Sequence, residues 1–456
     1  MKWRRGYALA FVALGLPGCR DKADDTAATA PATETAEVAV DPCAPPLDDP
    51  VDPDALPLLD LDAPPSNLLM ISIDTTRRDA VGRYSGDPTA TPFIDQLLAS
   101  SYALDNHRSC SNWTLPSMLC VLSGRDATRA HDGDYLGQRL VSEGFRAGYV
   151  TANTWIPAAW PGSYDYEFVG GVGGVDLSAE AMAAARSFVD SGERWFLHVH
   201  YLDPHAPYHP PSSYLGGLAD LPRVPWSLWS WEGTQELEAA WPYLSEQQQA
   251  EAMAHIQTRY AAELRFIDDV LATLWADLEA AGALDDTLVV LVSDHGEQLF
   301  QRGVLQHGDQ LYDEENAAVA ALWAPGVSGG AWAGPTTHKD LAPTALHALG
   351  LSVDEAVMEG LVVGTARPDR PRFTSVVKDV VRQAVEVQSS EGVLRLHYDW
   401  RGWVSLYDKR ADPGERTDIW DPGDPGHRAL YERLLPQVHA LDCEVPALSP
   451  VLLTFD

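Results

Sequence analysis

The stretch Thr287-Leu288-Val289-Val290-Leu291-Val292-Ser293-Asp294-His295-Gly296-Glu297 decides the fold. Leu288 to Val292 run without a polar interruption. A strand covered on both faces reads this way, whereas a strand with one wet face alternates. The run ends in Ser293-Asp294-His295-Gly296. In an open α/β sheet, ligands bind outside the carboxyl ends of the strands, so Asp294 and His295 offer an oxygen and a nitrogen donor there. A solvated strand end would look the same, and this pair alone does not choose.

A second stretch, Asn67-Leu68-Leu69-Met70-Ile71-Ser72-Ile73-Asp74, has the same form and also ends in an acid. Two long buried strands ending in carboxylates suggest acids converging on one cation. Burying them together without one would cost on the order of several kcal/mol.

Working outward, residues 147–150, 195–201 and 317–324 read as further buried strands, and helical segments alternate with them. Residues 91–98 form a helix with Pro92 in its first turn. In residues 111–125, Pro116 suits an early helical position and Gly124 a C-cap. Thr114 then lies at a helix N-terminus, where unpaired N–H groups favour an anion; the segment by itself reads Thr114 first as a cap. A long helix starts at Ser245 with Gln248 completing a capping box. It carries the stripe Tyr260, Leu264, Ile267, Leu271 and Leu274 and stops at Gly282. Another helix runs from Asp340 to Gly350.

This alternation predicts an α/β fold, a largely parallel sheet covered on both faces, over residues 66–365. Residues 366–456 differ. A hairpin pairing 384–387 with 393–398 around Ser390-Glu391-Gly392, a third antiparallel strand at 403–406 and a closing helix at 427–440 predict a smaller C-terminal α+β subdomain.

Two loops stand out. In Leu202-Asp203-Pro204-His205-Ala206-Pro207, flanking prolines fix His205 beyond a strand end. Residues 221–243 hold Trp226, Trp229, Trp231 and Trp241. They read as a stacking surface for a sugar or aromatic group, or as a packed insertion, the second being the more ordinary.

Lys and Arg total 32 against 66 Asp and Glu, a formal charge of -34 over 456 residues. No basic footprint for nucleic acid exists, and any anion site must be local. Lys2, Arg4 and Arg5 precede an apolar run at 7–16 that is too short to span a bilayer. Leu16-Pro17-Gly18-Cys19 resembles a bacterial lipobox. Residues 1–18 are thus expected to be a lipoprotein signal peptide, with Cys19 lipidated and the chain exported to the periplasmic or cell-surface side of a membrane. Residues 19–65 are too poor in large apolar groups to fold and read as an acidic tether. In an oxidising compartment the remaining four cysteines allow three pairings; Cys110–Cys120 and Cys43–Cys443 are expected.

Together these residues resemble the sulfatase family of the alkaline phosphatase superfamily. The resemblance runs through Asn67 to Asp74, Trp113-Thr114-Leu115-Pro116-Ser117 with Ser123-Gly124-Arg125, and Asp203-Pro204-His205-Ala206-Pro207-Tyr208. It continues through Tyr260 to Asp268, Ser293 to Glu297, Asp340 to Thr344, and Leu406-Tyr407-Asp408 with Asp412-Pro413-Gly414-Glu415. It implies an alkaline-phosphatase-like α/β/α sandwich, one divalent metal, and a nucleophile at Thr114 that touches the metal. It also implies a substrate-binding His at His205 and a contact to substrate and leaving group at His307. The implied metal set is Asp74, Thr114, Asp294 and His295. An imidazole among oxygens shifts preference toward Mn²⁺ or Zn²⁺ over Ca²⁺ or Mg²⁺.

Four positions depart from the family pattern. Sulfatases carry Cys or Ser at the nucleophile, which becomes formylglycine; Thr114 cannot yield an aldehyde. Met118 replaces an Arg, Thr75 replaces the second of two adjacent Asp ligands, and Thr151-Ala152-Asn153 replaces a Lys-x-His. A Thr nucleophile occurs in the phosphodiesterase, phosphonate-hydrolase and phosphoethanolamine-transferase branches. The expected activity is therefore metal-dependent hydrolysis of a phosphate diester, phosphonate or sulfate ester, with the phospho-ester favoured. The substrate would be a small molecule, a glycan or a lipid headgroup. The alternatives are a sulfatase with an unmodified nucleophile and a catalytically degenerate glycan-binding surface lipoprotein.

Overall fold

Residues Leu68, Met70, Leu288, Val290 and Val292 point to one apolar layer, and Leu69, Ile71, Ile73, Val289 and Leu291 to another. Each of the two strands thus buries both faces, which is why neither alternates in sequence. The computed structural model describes residues 57–432 and residue 434, apart from 60, 62, 131–134, 172, 355–356, 367–368, 378–380, 389–391 and 400–402. The signal peptide, most of the tether, Cys19, Cys43 and Cys443 lie outside the described residues.

The main sheet has eight strands among the described residues. In chain order they are β1 (Asn67–Ile73), β2 (Tyr102–Leu104), β3 (Arg146–Thr151), β4 (Tyr166–Val169), β5 (Trp195–Tyr201), β6 (Thr287–Ser293), β7 (Ala320–Trp323) and β8 (Gly330–Trp332). They lie in the order β8-β2-β7-β6-β1-β5-β3-β4. The stretch from β6 to β4 is parallel throughout, while β7 is antiparallel to β6. Ile73 sits opposite both Ser293 and Tyr201. Asp74 and Asp294 therefore leave neighbouring strands at one level.

The run 317–324 contributes less strand than its composition predicts. Only Ala320–Trp323 pairs with β6. Before it, Val319 still accepts from Ser293 N at the end of β6 at 2.8 Å, but Ala318 N turns away to His107 O at 3.3 Å.

Helices α1 (Pro92–Ser100), α2 (Thr114–Ser123), α3 (Gly174–Ser191), α4 (Trp231–Ala240), α5 (Glu246–Ala280) and α6 (Leu341–Ala348) matter for the site. The helices α1, α3 and α5 cover one face of the sheet, and α2 and α6 the other. This is an α/β/α sandwich. The capping box of α5 forms as expected, with Ser245 Oγ accepting from Gln248 N and Gln248 Oε1 accepting from Ser245 N at 3.0 Å. Gly282 adopts φ +68 just beyond its end, where a Cβ would be strained.

The C-terminal sheet is antiparallel, with strands β9 (Arg372–Val377), β10 (Val381–Gln388), β11 (Val393–Asp399) and β12 (Val404–Asp408). The hairpin and third strand were expected; β9 was not. The predicted turn lies mostly outside the described residues, and residues 425–432 are helical. A small apolar core of Val385, Val387, Leu396, Leu406 and Leu434 backs the sheet. Its first strand is bonded to the loop that leads into α2: Ser375 N donates to Cys110 O, Ser111 Oγ to Ser375 O and Thr374 Oγ1 to Ser109 O, each at 2.8 Å.

The expected Cys110–Cys120 bridge is not formed; both are buried free thiols. They meet in the apolar layer beneath the sheet, where burial and then a hydrogen bond with Cys110 push the Cys120 thiol well above its usual range. Among the described residues, no helix is long and apolar enough to cross a membrane.

Candidate active site

Asp74 extends β1, and its N–H donates to Tyr201 O at 2.9 Å. Asp294 leaves β6, and its Oδ1 accepts from His295 N at 2.7 Å and Thr75 N at 3.1 Å. His295 Nδ1 lies 2.8 Å from Gly296 O. A carbonyl can only accept, so the proton is on Nδ1 and Nε2 presents a lone pair. Three buried atoms then remain without a hydrogen-bond partner: Asp74 Oδ1, Asp294 Oδ2 and His295 Nε2. Nε2 is 3.6 Å from Asp74 Oδ1 and 3.4 Å from Asp294 Oδ2. The three residues offer ligand atoms within 4.8 Å of one another.

Buried polar atoms are almost always paired. Three orphans facing one point are the pattern a cation completes. The electrostatics agree. Burial, followed by the charge of Asp74, pushes the Asp294 carboxyl well above its usual range. Burial would also raise Asp74, but His205, His200 and His295 around it carry it far below. Burial lowers His295 to about 3, keeping it neutral, which is the form that ligates.

Thr75, at the position of the family's second Asp, adopts φ +49. That is an uncommon backbone for a β-branched residue. Its carbonyl accepts from Tyr260 OH at 2.7 Å, and the same hydroxyl accepts from Arg77 N at 2.8 Å. The strained turn is what aims the Thr75 N–H at Asp294.

Thr114 is the first residue of α2, and the N-cap position is held by Trp113 without a side-chain cap bond. The capping role read from the segment alone is therefore not the one Thr114 plays. Its hydroxyl turns to the cluster, 3.4 Å from Asp74 Oδ2. It also accepts from Asn153 Nδ2 at 3.3 Å. The same amide donates to Asp74 Oδ2 at 2.7 Å. Met118, one turn on, is buried in the apolar layer, so no cation stands at the place of the family's Arg.

His205 Nδ1 is 2.5 Å from Ala206 O, which leaves Nε2 as its acid–base nitrogen. Burial opposes its charge, yet Asp74 and Glu297 outweigh burial and raise it. The His307 ring lies 5.0 Å from that of His205 and 4.3 Å from that of His295. His307 Nδ1 is 2.8 Å from Glu297 Oε1. Burial pushes Glu297 up to about 7, with His205 and His295 pulling it back.

All six expected residues thus converge: Asp74, Thr114, His205, Asp294, His295 and His307. Sequence reasoning missed Asn153, His200 and Glu297. Glu297 closes the stretch that decided the fold, and Asn153 occupies the Lys-x-His position. Nothing in the sequence separates His200 from its strand neighbours. The Trp-rich insertion divides. Trp241 is packed, stacked 3.8 Å from Phe300. Trp231, 46% exposed, stands edge-on 5.9 Å from His205.

Sheet, helices and cluster together have the architecture of the alkaline phosphatase superfamily. Within it the chain belongs to the sulfatase family, whose model, Sulfatase, matches residues 66–351. Members of this family bind a divalent metal, and the residues present fit one. A choline-sulfatase of Rhizobium meliloti (strain 1021) is 27% identical over 168 residues, 35% of this chain and 32% of that protein. The chain thus matches about a third of that relative's length. The solved structure of BT4656 in complex with its substrate D-glucosamine-2-N,6-O-disulfate superposes with a TM-score of 0.63 at 16% identity, covering 83% of this chain and 98% of that one. The phosphonate monoester hydrolase SpPMH of Silicibacter pomeroyi gives 0.62 at 21% identity, covering 82% and 94%. These similarities to solved structures are similarities of fold.

Proposed function

We propose that this chain hydrolyses a phosphate diester or phosphonate ester with Thr114 as nucleophile. The observation that carries the reading is the Thr114 hydroxyl itself, placed at the start of α2 and 3.4 Å from Asp74 Oδ2, beside the orphaned donors. Asp74, Asp294, His295 and Thr114 would hold one divalent ion, and the imidazole favours Mn²⁺ or Zn²⁺. Such an ion supplies Lewis acidity to the ester oxygens and makes a coordinated hydroxyl a competent nucleophile.

The side chains do the rest. Asn153 donates to Thr114 Oγ1 while that hydroxyl donates toward Asp74 Oδ2, which turns a lone pair out to the ester. The first N–H groups of α2 face the developing charge. As the Thr114 Oγ1–phosphorus bond forms, the hydroxyl proton passes to Asp74 Oδ2, the acceptor it already faces, the bond to the leaving alcohol breaks, and protonated His205 gives its Nε2 proton to the departing oxygen. Water then cleaves the phosphoryl-threonine. Glu297 holds His307 against the same oxygen. Trp231 stands edge-on 5.9 Å from His205 and would suit a ring or other apolar body on the leaving alcohol.

Phosphorus is favoured over sulfur because Thr114 cannot supply the hydrated aldehyde that expels sulfate. The apolar Met118 favours a singly charged ester over a doubly charged monoester. The second reading is a sulfate ester cleaved by the unmodified hydroxyl, supported by the choline-sulfatase similarity. A degenerate glycan binder fits poorly with three buried orphan donors left in place. The N-terminal pattern supports export and anchoring through lipidated Cys19 on the outer side of a bacterial membrane.

The test is a panel of aryl sulfate, phosphate monoester, phosphodiester and phosphonate esters with Mn²⁺, Zn²⁺, Ca²⁺ and Mg²⁺ added back. Phosphodiester or phosphonate turnover with a phosphoryl adduct on the Thr114 peptide is expected. Sulfate-ester turnover alone would overturn the reading.

A further inference from the structure

We infer that Trp160, His198, Ser72 and His200 form a one-way hydrogen-bond relay that positions the metal-binding carboxylate of Asp74. The four side chains run in a buried line across β5 and β1. Trp160 Nε1 is 3.1 Å from His198 Nδ1, His198 Nε2 is 2.7 Å from Ser72 Oγ, and Ser72 Oγ is 2.7 Å from His200 Nδ1. His200 Nε2 then lies 3.4 Å from Asp74 Oδ2. Ser72, His198 and His200 are fully buried and Trp160 nearly so, so no solvent completes the pairing.

The direction follows from which atoms can donate. An indole N–H only donates, so His198 Nδ1 is an acceptor and its proton sits on Nε2. Burial keeps this imidazole neutral. His198 Nε2–H therefore donates to Ser72 Oγ. The serine has one proton of its own and one remaining partner, so it donates to His200 Nδ1. That places the His200 proton on Nε2, facing Asp74. Every link is set by the one before, and the first by an atom that has no alternative.

The consequence reaches the cation site. Asp74 Oδ2 is surrounded by donors from His200, Asn153 and Thr114, while Oδ1 has none and faces Asp294 and His295. With the opposite tautomer, the His200 lone pair would oppose Oδ2 and turn the carboxylate away. Trp160, His198, Ser72 and His200 are positioning residues.

The inference rests on Asp74 being a metal ligand, and the experiment separates the two. In ¹⁵N-histidine-labelled full-length protein, long-range ¹H–¹⁵N correlations should show His198 and His200 both as Nε2–H tautomers. His200 as the Nδ1–H form or as imidazolium would overturn the relay. Mn²⁺ titration by calorimetry should show Trp160→Phe and Ser72→Ala each weakening binding about tenfold or more, with the folded spectrum retained. Phe keeps the stacking on Phe196, whose ring lies 5.0 Å away, but has no N–H. Wild-type affinity in both variants would refute positioning while leaving the metal site intact. No Mn²⁺ binding by the wild type would sink the site itself and the relay's role with it.

Discussion

Glu297 and His307 share a 2.8 Å contact between Oε1 and Nδ1, with the carboxyl fully buried and the imidazole beside His295 and His205. A carboxyl in that position orients the ring. Glu297→Gln keeps the shape and loses the charge. It is expected to lower kcat about 10- to 100-fold with Mn²⁺ affinity unchanged, measured by steady-state kinetics beside calorimetry. A loss confined to KM would contradict an orienting role.

Thr114→Ala should cut kcat/KM by at least about 10³-fold while retaining most metal affinity, because Asp74, Asp294 and His295 remain. Thr114→Ser should keep measurable phosphodiesterase activity. Intact mass after rapid quench should show the adduct in the wild type and not in Thr114→Ala.

Chelation should destabilise the protein. At an ion concentration 100-fold above Kd, binding to the native state alone contributes about 2.7 kcal/mol, or ~3 °C of Tm for a chain of this size. Asp294→Ala should abolish the difference between metal-loaded and chelator-treated samples in a thermal melt. An undiminished shift would place the ion elsewhere.

Glu263 lies against Asp203, the start of the loop that carries His205. Burial, and then the Asp203 charge, push Glu263 up to about 9. Unfolded, it titrates near about 4.3. Between those values the folded chain holds a proton that the unfolded chain has released. The contribution is thus complete below the lower value and is lost as pH rises through the window. Melting temperature should fall across it, and Glu263→Gln should flatten the slope.

Cys19→Ser should move the protein from the membrane fraction to the soluble periplasm, assayed by fractionation and immunoblot. Retention on the membrane would require another anchor.

The strands that end in Asp74 and Asp294 were legible because burial on both faces leaves an unbroken apolar run. The proline-flanked His205 and the N-terminus of α2 were legible because local backbone chemistry marks them. Asn153 and His200 were not, since a polar residue at a strand end or inside a strand has the same local pattern whether or not it meets a carboxylate. Only the register that sets Ile73 opposite Tyr201 brings His200 under Asp74. The even count of cysteines left after Cys19 suggested a Cys110–Cys120 bond. The pair does meet, but packing in an apolar layer satisfies two thiols without oxidising them.

The bonds from Ser375 to Cys110 and Ser111 set a timetable for the molecule. The loop that leads into Thr114 is translated early, yet its backbone partner arrives 264 residues later. A chain still emerging, or one clipped ahead of Arg372, would own all six clustered side chains and lack the bonds that brace the loop before Thr114. On the proposed chemistry, competence would wait for the carboxyl-terminal sheet, and a cut ahead of Arg372 would take it away.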